Sequence, residues 1–390
     1  MKRIAIIGAS GLIGSSLAEE LSEKPEVELV PFIHSSGNAW RLARLGMELR
    51  AIDLLNGPHL EAALAGCTHI VNCSRNGDDV MIKGLRNLLK ASRRVGVLRF
   101  VHLSSVLVYG DPPPPSAQNE DAPTRPPQGT YGWVKLQQDR MVTEARAKGL
   151  QSVILCLPNV SGPRSYFLTQ VIAALRARRF ALVGSGDGPC SLVDVRNLVH
   201  AVELALDHGA ADGRRMFIND GETTNWRDLV SALMPLAEQH EPLPTVSVEE
   251  LRQMTRDEGA PAPSVFRSLK HVLSSPVREA LRRDPTWASL ERIVRSSVTL
   301  LGPATEDRLR TALEGPPAVP RREDKPLDTR LCLQQLRQVR HSIRLAGQEL
   351  GYSPIRSFAD SMADFQRWYR ACHGMDAAHW DLLRRLYELD

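Results

Sequence analysis

The sequence predicts an α/β fold, a doubly wound parallel sheet with a smaller, mostly helical C-terminal lobe, and three observations predict it. The chain opens on a strand, a glycine turn and a helix within Lys2 to Leu21. Short branched apolar runs then alternate with helical periodicities, a spacing that implies right-handed crossovers between parallel strands. Polar residues interrupt the pattern where those strands end, and such sheets bind their ligands beyond the carboxyl ends of the strands. A chain of 390 residues can bury one large core or two smaller ones.

Lys2-Arg3-Ile4-Ala5-Ile6-Ile7 has the length and branching of a buried strand. It breaks at Gly8-Ala9-Ser10-Gly11-Leu12-Ile13-Gly14 and resumes as a helix from Ser15 to Leu21. In this context Gly8 permits a tight turn, Gly11 lets the backbone approach a pyrophosphate, and Gly14 lets helix and strand pack closely. The backbone from Ser10 through Leu12 and Ile13 then presents free N–H groups to phosphates, aided by the helix dipole. The spacing Gly-x-x-Gly-x-x-Gly is one residue looser than the dehydrogenase form. A glycine turn that binds nothing is the alternative, and the strand–turn–helix setting weighs against it.

Val27 to Ile33 is the second strand, with a bulge or early end expected at Pro31, which lacks the N–H a central strand needs. In folds that bind NAD an acidic residue closes this strand and bonds the adenosine ribose. Here His34, Ser35 and Ser36 close it, with Arg41 and Arg44 shortly after. Nothing there repels a 2′-phosphate and several donors suit one, which favours NADP(H) and leaves NAD(H) possible; arginines on a solvated helix face would look the same.

Met47 to Ile52 is the third strand, ending at Asp53-Leu54; His69 to Asn72 is the fourth, followed by Cys73 and Ser74. Val80 to Val95 is helical, and Leu98 to Leu103 is the fifth strand, ending at Ser104-Ser105. Gly8, Asp53, Cys73 and Ser105 should therefore converge at one edge of the sheet. Gly110 to Gln128, with Pro112 through Pro115, is a surface loop. Tyr131 to Lys148 is a helix and Gln151 to Leu157 the sixth strand, leading into Pro158-Asn159-Val160-Ser161-Gly162-Pro163. Helices follow at Phe167 to Arg178 and Asn197 to Asp207, with short strands at Ser191 to Val195 and Met216 to Ile218 and a helix opening at Thr224-Asn225-Trp226. Residues from about 240 to 345 read as an insertion without a usable motif.

The formal charge of +4 does not suggest a nucleic-acid surface, and Arg282-Arg283 and Arg321-Arg322 read as solvated faces or linker. No apolar run is long enough to cross a bilayer, and the start of the chain leaves no room for a signal peptide. The six cysteines lack metal-like spacing and read as reduced, mostly buried thiols of a cytoplasmic protein.

Tyr131 and Lys135, four residues apart on a helix, share one face. A phenol ionises near pH ~10, and a neighbouring ammonium with a positively charged nicotinamide brings it into use as an acid–base group. Ser105, at the end of the adjacent strand, can bond the same substrate oxygen. Tyr-x-x-x-Lys alone is common on surfaces; here it follows a glycine turn, a Ser-Ser strand end and a loop.

These residues together resemble the extended short-chain dehydrogenase/reductase family, which contains nucleotide-sugar epimerases, dehydratases and ketone reductases on a Rossmann-type fold. The matching pieces are Gly8-x-x-Gly11-x-x-Gly14, Asp53-Leu54, Gly84 to Leu89, Ser104 to Gly110, Tyr131-x-x-x-Lys135, Pro158 to Pro163, Val193-Asp194-Val195 and Leu350 to Pro354. The resemblance implies a Ser105–Tyr131–Lys135 triad with Ser104 as runner-up for the serine and as a substrate contact beside Asn159. It also implies that Lys135 holds the nicotinamide ribose, that backbone from Pro158 to Val160 holds the carboxamide, and that Asp53 and Leu54 flank the adenine. Residues 1–160 with 191–220 would form the dinucleotide-binding domain, and 161–190 with 221–390 the substrate lobe. A homodimer through the helices Val80–Val95 and Tyr131–Lys148 is expected, since Ile82, Leu85, Leu88, Leu89, Trp133, Val134, Leu136 and Met141 exceed what one sheet face covers; C-terminal helices covering them instead is the alternative.

Four departures bear on function. Met81 stands where an asparagine often supports the proton relay, and Cys156 where the sixth strand commonly carries an arginine. Cys190 aligns with an arginine that grips the pyrophosphate of sugar nucleotides, and Val106-Leu107 replace the Asp-Glu pair of the 4,6-dehydratases; Glu120 and Asp121 read as solvated loop acids. The expected function is hydride transfer between NADP(H) and a carbonyl or alcohol, with an NAD-dependent epimerase and a non-catalytic dinucleotide sensor as rivals.

Overall fold

In the computed structural model, residues 1–34, 39–207, 213–222, 224–259 and 327–373 are described. The chain divides into two compact units, Met1–Val248 with Arg330–Asp390, and Glu249–Thr329. Most of the insertion between 240 and 345, the Arg282-Arg283 and Arg321-Arg322 pairs, and Ser35 lie outside the described residues.

The first unit is built on a seven-stranded sheet in which every neighbouring pair is parallel. In chain order the strands are β1 (Lys2–Ile7), β2 (Val27–Ile33), β3 (Arg50–Ala51), β4 (His69–Asn72), β5 (Arg99–Ser105), β6 (Ser152–Leu157) and, last in sequence, a strand at Arg215–Phe217. The spatial order places that last strand at one edge, then β6, β5, β4, β1, β2 and β3. Helices cover both faces, as expected for a doubly wound sheet. One layer holds α1 (Leu12–Leu21), and the other holds α3 (Gly57–Ala63), α4 (Leu85–Arg94) and α5 (Tyr131–Ala147); the short α2 (Trp40–Ala43) lies after β2. α7 (Val195–Asp207) joins the α1 layer, contributing Leu198, Val199 and Val202.

Pro31 does not break β2. Phe32 presents its carbonyl towards β1, to the N–H groups of Gly8 and Ala9, so Pro31 faces the β3 side, where pairing starts only at Arg50, level with Phe32. The missing N–H therefore has no ladder partner to lose. β3 is correspondingly shorter than the expected Met47 to Ile52, an edge strand of two residues. The helix expected from Val80 begins as a π-helical turn, Val80–Gly84, before α4.

Two small ladders were not foreseen. β7 (Asn159–Ser161) pairs with β9 (Leu192–Asp194), and β8 (Leu182–Val183) pairs with β11 (Thr245–Val246); the edge strand Arg215–Phe217 is β10. Beside them a separate apolar cluster joins α6 (Tyr166–Arg176), α8 (Trp226–Leu233) and the C-terminal helix Phe358–His373 around Phe167, Phe180, Trp226 and Phe365. Among the described residues no helix is long and apolar enough to cross a membrane. The six cysteines are free thiols; Cys372 is exposed, Cys73 half-buried and the others buried. Leu85, Leu88, Leu89 and Leu136 from the helices expected at a dimer interface are buried in the core of this chain itself, and Ile82, Trp133 and Met141 stay half-exposed.

Candidate active site

The glycine turn binds β1 to α1 with no space to spare. A Cβ on Gly14 would stand 2.3 Å from the Gly8 carbonyl oxygen, so only glycine fits there. Gly11 caps α1 with no side-chain bond of its own, which leaves the first N–H groups of the helix facing outward beside exposed Gly11 and half-buried Leu12 and Ile13. Arg41 reaches this turn and donates from Nη1 to the Ser10 carbonyl at 3.1 Å. Burial lowers its pKa, and the nearby Arg164 guanidinium lowers it further. Arg44 takes the other direction and pairs with Glu19. His34 is exposed at the end of β2.

The ends of β1 and β4 meet at the same place: the Cys73 carbonyl lies 3.1 Å from where a Cβ on Gly8 would sit. Burial pushes the Cys73 thiol up to about 12, so it stays protonated. Ser74 donates from N–H and Oγ to Asn72 Oδ1 at 3.2 and 2.7 Å, and Asn72 Nδ2 lies 3.3 Å from His102 Nδ1. That arrangement makes His102 Nδ1 the acceptor and leaves the ring proton on Nε2. Asp53 is exposed and accepts from the Leu55 N–H at 2.9 Å; Leu54 is buried, with its carbonyl accepting from Asn87.

Thr130 accepts from the Trp133 N–H and starts α5, so Tyr131 is the first residue of the helix. Gly132 allows the helix to approach: a Cβ there would meet the Leu107 carbonyl at 2.2 Å. That contact sets the start of α5 against the 3₁₀ turn Val106–Tyr109, whose N-cap is Ser105. Ser105 and Tyr131 are thereby brought to one place. Ser105 Oγ accepts from the Leu107 N–H at 3.3 Å, which leaves its own proton available. Lys135 Nζ lies 5.9 Å from the Tyr131 ring centre and donates to the Leu103 carbonyl at 2.9 Å. Burial draws the Lys135 ammonium down to about 8, Arg75 pushes the same way, and Asp139 opposes. Burial also raises the Tyr131 phenol; Arg75 opposes and Asp139 adds to the rise.

Ser104 is turned the other way. It is 4 % exposed, and its hydroxyl faces Asp139 and Cys156 beneath the site, so the structure does not place it as a substrate contact. The side chains of a strand alternate between faces, and Ser105 takes the outward position.

Sequence reasoning missed the charge network under α5. Asp139, one turn after Lys135, is 1 % exposed; its Oδ2 meets Arg215 Nε at 3.2 Å, and its Oδ1 lies 3.9 Å from His102 Nε2. Burial holds His102 well below its ordinary range, so it faces Asp139 as a neutral ring. Burial pushes the Asp139 carboxyl up to about 6, against the pull of Ser104, Arg215 and Lys135. Cys156 sits beside this pair, and Arg215 reaches it from the neighbouring strand β10, where Phe217 is in register with Cys156. The cation expected on the sixth strand is thus supplied one strand over. Met81 offers its backbone carbonyl to Gln138 Nε2 at 2.6 Å, inside the π-helical turn.

Farther out, Pro158 and Val160 are half-buried on β7 and beside it, and Asn159 Nδ2 donates to Gln334 Oε1 at 3.0 Å. Cys190 is buried, and the guanidinium it feels is that of Arg337. Arg337 is held by both oxygens of Asp111 at 2.8 Å. Arg164 pairs with Glu19 and Arg196 with Asp364, so neither replaces the arginine missing at Cys190. Glu120 is half-buried rather than solvated: its Oε1 accepts the Phe217 N–H at 2.9 Å. Asp121 is exposed as expected. Among the described residues no His, Cys, Asp or Glu group is arranged to hold a metal ion.

Against known proteins, residues 4–219 match the profile of the NAD dependent epimerase/dehydratase family. A UDP-glucose 4-epimerase of Streptomyces lividans is 29 % identical over 238 residues, spanning 54 % of this chain and 71 % of that protein. The 4-hydroxy-2-methyl-3-oxo-4-farnesyl-3,4-dihydroquinoline-1-oxide ketoreductase of Stigmatella aurantiaca is 26 % identical over 60 % of this chain and 72 % of its own length. The crystal structure of UDP-glucuronic acid 4-epimerase from Bacillus cereus in complex with NAD superposes with a TM-score of 0.63 at 17 % identity, covering 95 % of this chain and 99 % of that one; it shares the fold. The chain belongs to the NAD dependent epimerase/dehydratase family, within the extended short-chain dehydrogenases/reductases.

Proposed function

For this family member we propose an NADP(H)-dependent oxidoreductase that moves hydride between the dinucleotide and a carbonyl or alcohol carbon, with Tyr131, Lys135 and Ser105 as its catalytic residues. The observation that carries this reading is Tyr131 at the first turn of α5, beside the Ser105 turn, with a buried ammonium on the same helix face. The glycine turn, with its open backbone and the outward N–H groups of α1, fits a dinucleotide pyrophosphate. The nicotinamide supplies the hydride or accepts it.

The chain's own residues handle the proton. In the direction of reduction, Tyr131 Oη gives its proton to the substrate oxygen while Ser105 Oγ donates a second hydrogen bond to that oxygen and orients it. The ammonium of Lys135 stabilises the phenolate left behind. Below the helix Asp139 meets Arg215 at 3.2 Å and helps keep Lys135 protonated. Arg41, which reaches the glycine turn at the Ser10 carbonyl and has no carboxylate partner among the described residues, suits the phosphorylated cofactor.

The choice of net oxidoreduction over epimerisation rests on Cys190. A buried thiol supplies neither the charge nor the fork that grips a pyrophosphate, and the neighbouring Arg337 is already bound by Asp111. Calorimetric titration should show NADPH binding more tightly than NADH, and tighter NADH binding overturns the cofactor assignment. Nicotinamide absorbance followed during turnover should change in step with product; stereochemical inversion without net change establishes the epimerase instead.

A further inference from the structure

We propose that Arg75 is an anion receptor at this site, taking a carboxylate on the substrate beside the oxygen that Tyr131 protonates, so that the substrate is an oxo or hydroxy acid. The inference rests on the hydride-transfer reading above and adds the substrate class to it.

Arg75 lies just beyond the end of β4. Asn72, fixed against His102, holds both polar groups of Ser74, and Arg75 follows as an exposed residue of irregular backbone. Its guanidinium carbon stands 5.0 Å from the Tyr131 ring centre, within the range of an attractive cation–π contact. Arg75 is therefore parked on the proposed acid–base residue. Among the described residues no carboxylate pairs with it and no protein oxygen accepts from its N–H donors. Of the acids nearby, Asp79 pairs with Lys83 at 2.9 Å, Asp139 is buried against Arg215, and exposed Asp78 makes no ion pair with it. Two cations, Arg75 and Lys135, thus flank one phenol, and the buried carboxylate that balances them already serves Arg215.

An unmatched guanidinium with five donors in a fork is built for a planar anion and binds it through two parallel hydrogen bonds. A carboxylate one or two bonds from the reacting carbon lies within reach of Arg75 when its neighbouring oxygen lies at Tyr131 Oη. The dinucleotide's phosphates are the other source of the same chemistry, because the β4 end adjoins the glycine turn.

Malonate serves as the probe, titrated calorimetrically into the enzyme saturated with NADP⁺, with malondiamide as its uncharged counterpart. Malonate should bind the wild type, and Arg75→Met should weaken it about 10- to 100-fold, the worth of a lost charge-assisted pair. Arg75→Lys should fall between them, and malondiamide should bind neither. Equal malonate affinity in wild type and Arg75→Met, or none in the wild type, overturns the proposal. NADPH affinity should be the same in wild type and Arg75→Met; a loss there instead assigns the guanidinium to the cofactor phosphates and also overturns it. The two readings fail separately. In the wild type, malonate binding that depends on Arg75 together with no nicotinamide absorbance change on any oxo or hydroxy acid would remove the oxidoreductase reading and leave Arg75 as the anion site.

Discussion

The strand-end site and the apolar cluster around Trp226 are both buried, yet they are buried in opposite ways. Beneath Tyr131 the chain encloses Asn72, His102, Ser104, Lys135, Gln138 and Asp139, all under a tenth exposed. The cluster of α6, α8 and the helix Phe358–His373 is filled by Phe167, Val171, Phe180, Trp226, Leu229 and Phe365. Enclosing charge costs several kcal/mol per ion unless it is matched, whereas enclosing apolar surface stabilises by roughly 25 cal/mol per Å². The first region therefore spends stability to hold proton-transfer groups in place, and the second supplies it. This contrast teaches which substitutions should alter chemistry and which should alter only folding.

The largest expected effect lies on the chemical side. Tyr131→Phe removes the transferable proton and little volume, so turnover should fall by ~10²–10⁴-fold while NADPH affinity holds. Stopped-flow hydride transfer and calorimetry separate the two, and a near-normal rate would break the division at its centre.

Trp226→Ala probes the other region. Trp226 is 2 % exposed and packs on Phe167 and Phe180 with ring centres 6.0 and 6.3 Å away. Its truncation should lower unfolding stability by about 3–5 kcal/mol in a denaturant titration, with turnover per folded molecule little changed. A collapse of turnover in folded protein would show that the cluster shapes the chemistry after all.

The smallest effect sharpens the comparison through pH. Burial raises the Asp139 carboxyl from 3.8 to about 6, so between these values the native protein holds a proton that the unfolded chain has released. This proton stabilises the fold fully below the unfolded pKa, and its contribution is lost as pH rises through about 6. Asp139→Asn should remove that dependence, a difference of order 2–3 kcal/mol between pH 4 and 7 in paired urea titrations. The Trp226→Ala variant should keep the wild-type slope, since it leaves Asp139 and the other buried carboxyl raised by burial, Asp220, in place. Parallel profiles for wild type and Asp139→Asn would mean that Arg215 balances the carboxylate completely.

The sequence by itself determined whatever is written in neighbouring residues. The Lys2–Ile7 strand, the glycine turn and α1 are a local pattern, and Tyr131 with Lys135 share a helix face through 3.6-residue periodicity alone. The family resemblance then placed Ser105 and marked Cys156 and Cys190 as departures. Tertiary structure decided everything that depends on which distant residues meet. Arg215 answers Asp139 from 76 positions away because β10 lies beside β6, and no periodicity encodes that pairing. Strand alternation turned Ser104 inward and Ser105 outward, a choice set by the register of β5 within the sheet. Arg75 lies over Tyr131 only because β4 and the start of α5 converge at one sheet edge. Pro31, read locally, breaks a strand; in the sheet it faces the side where β3 has not begun, and the ladder needs no donor there.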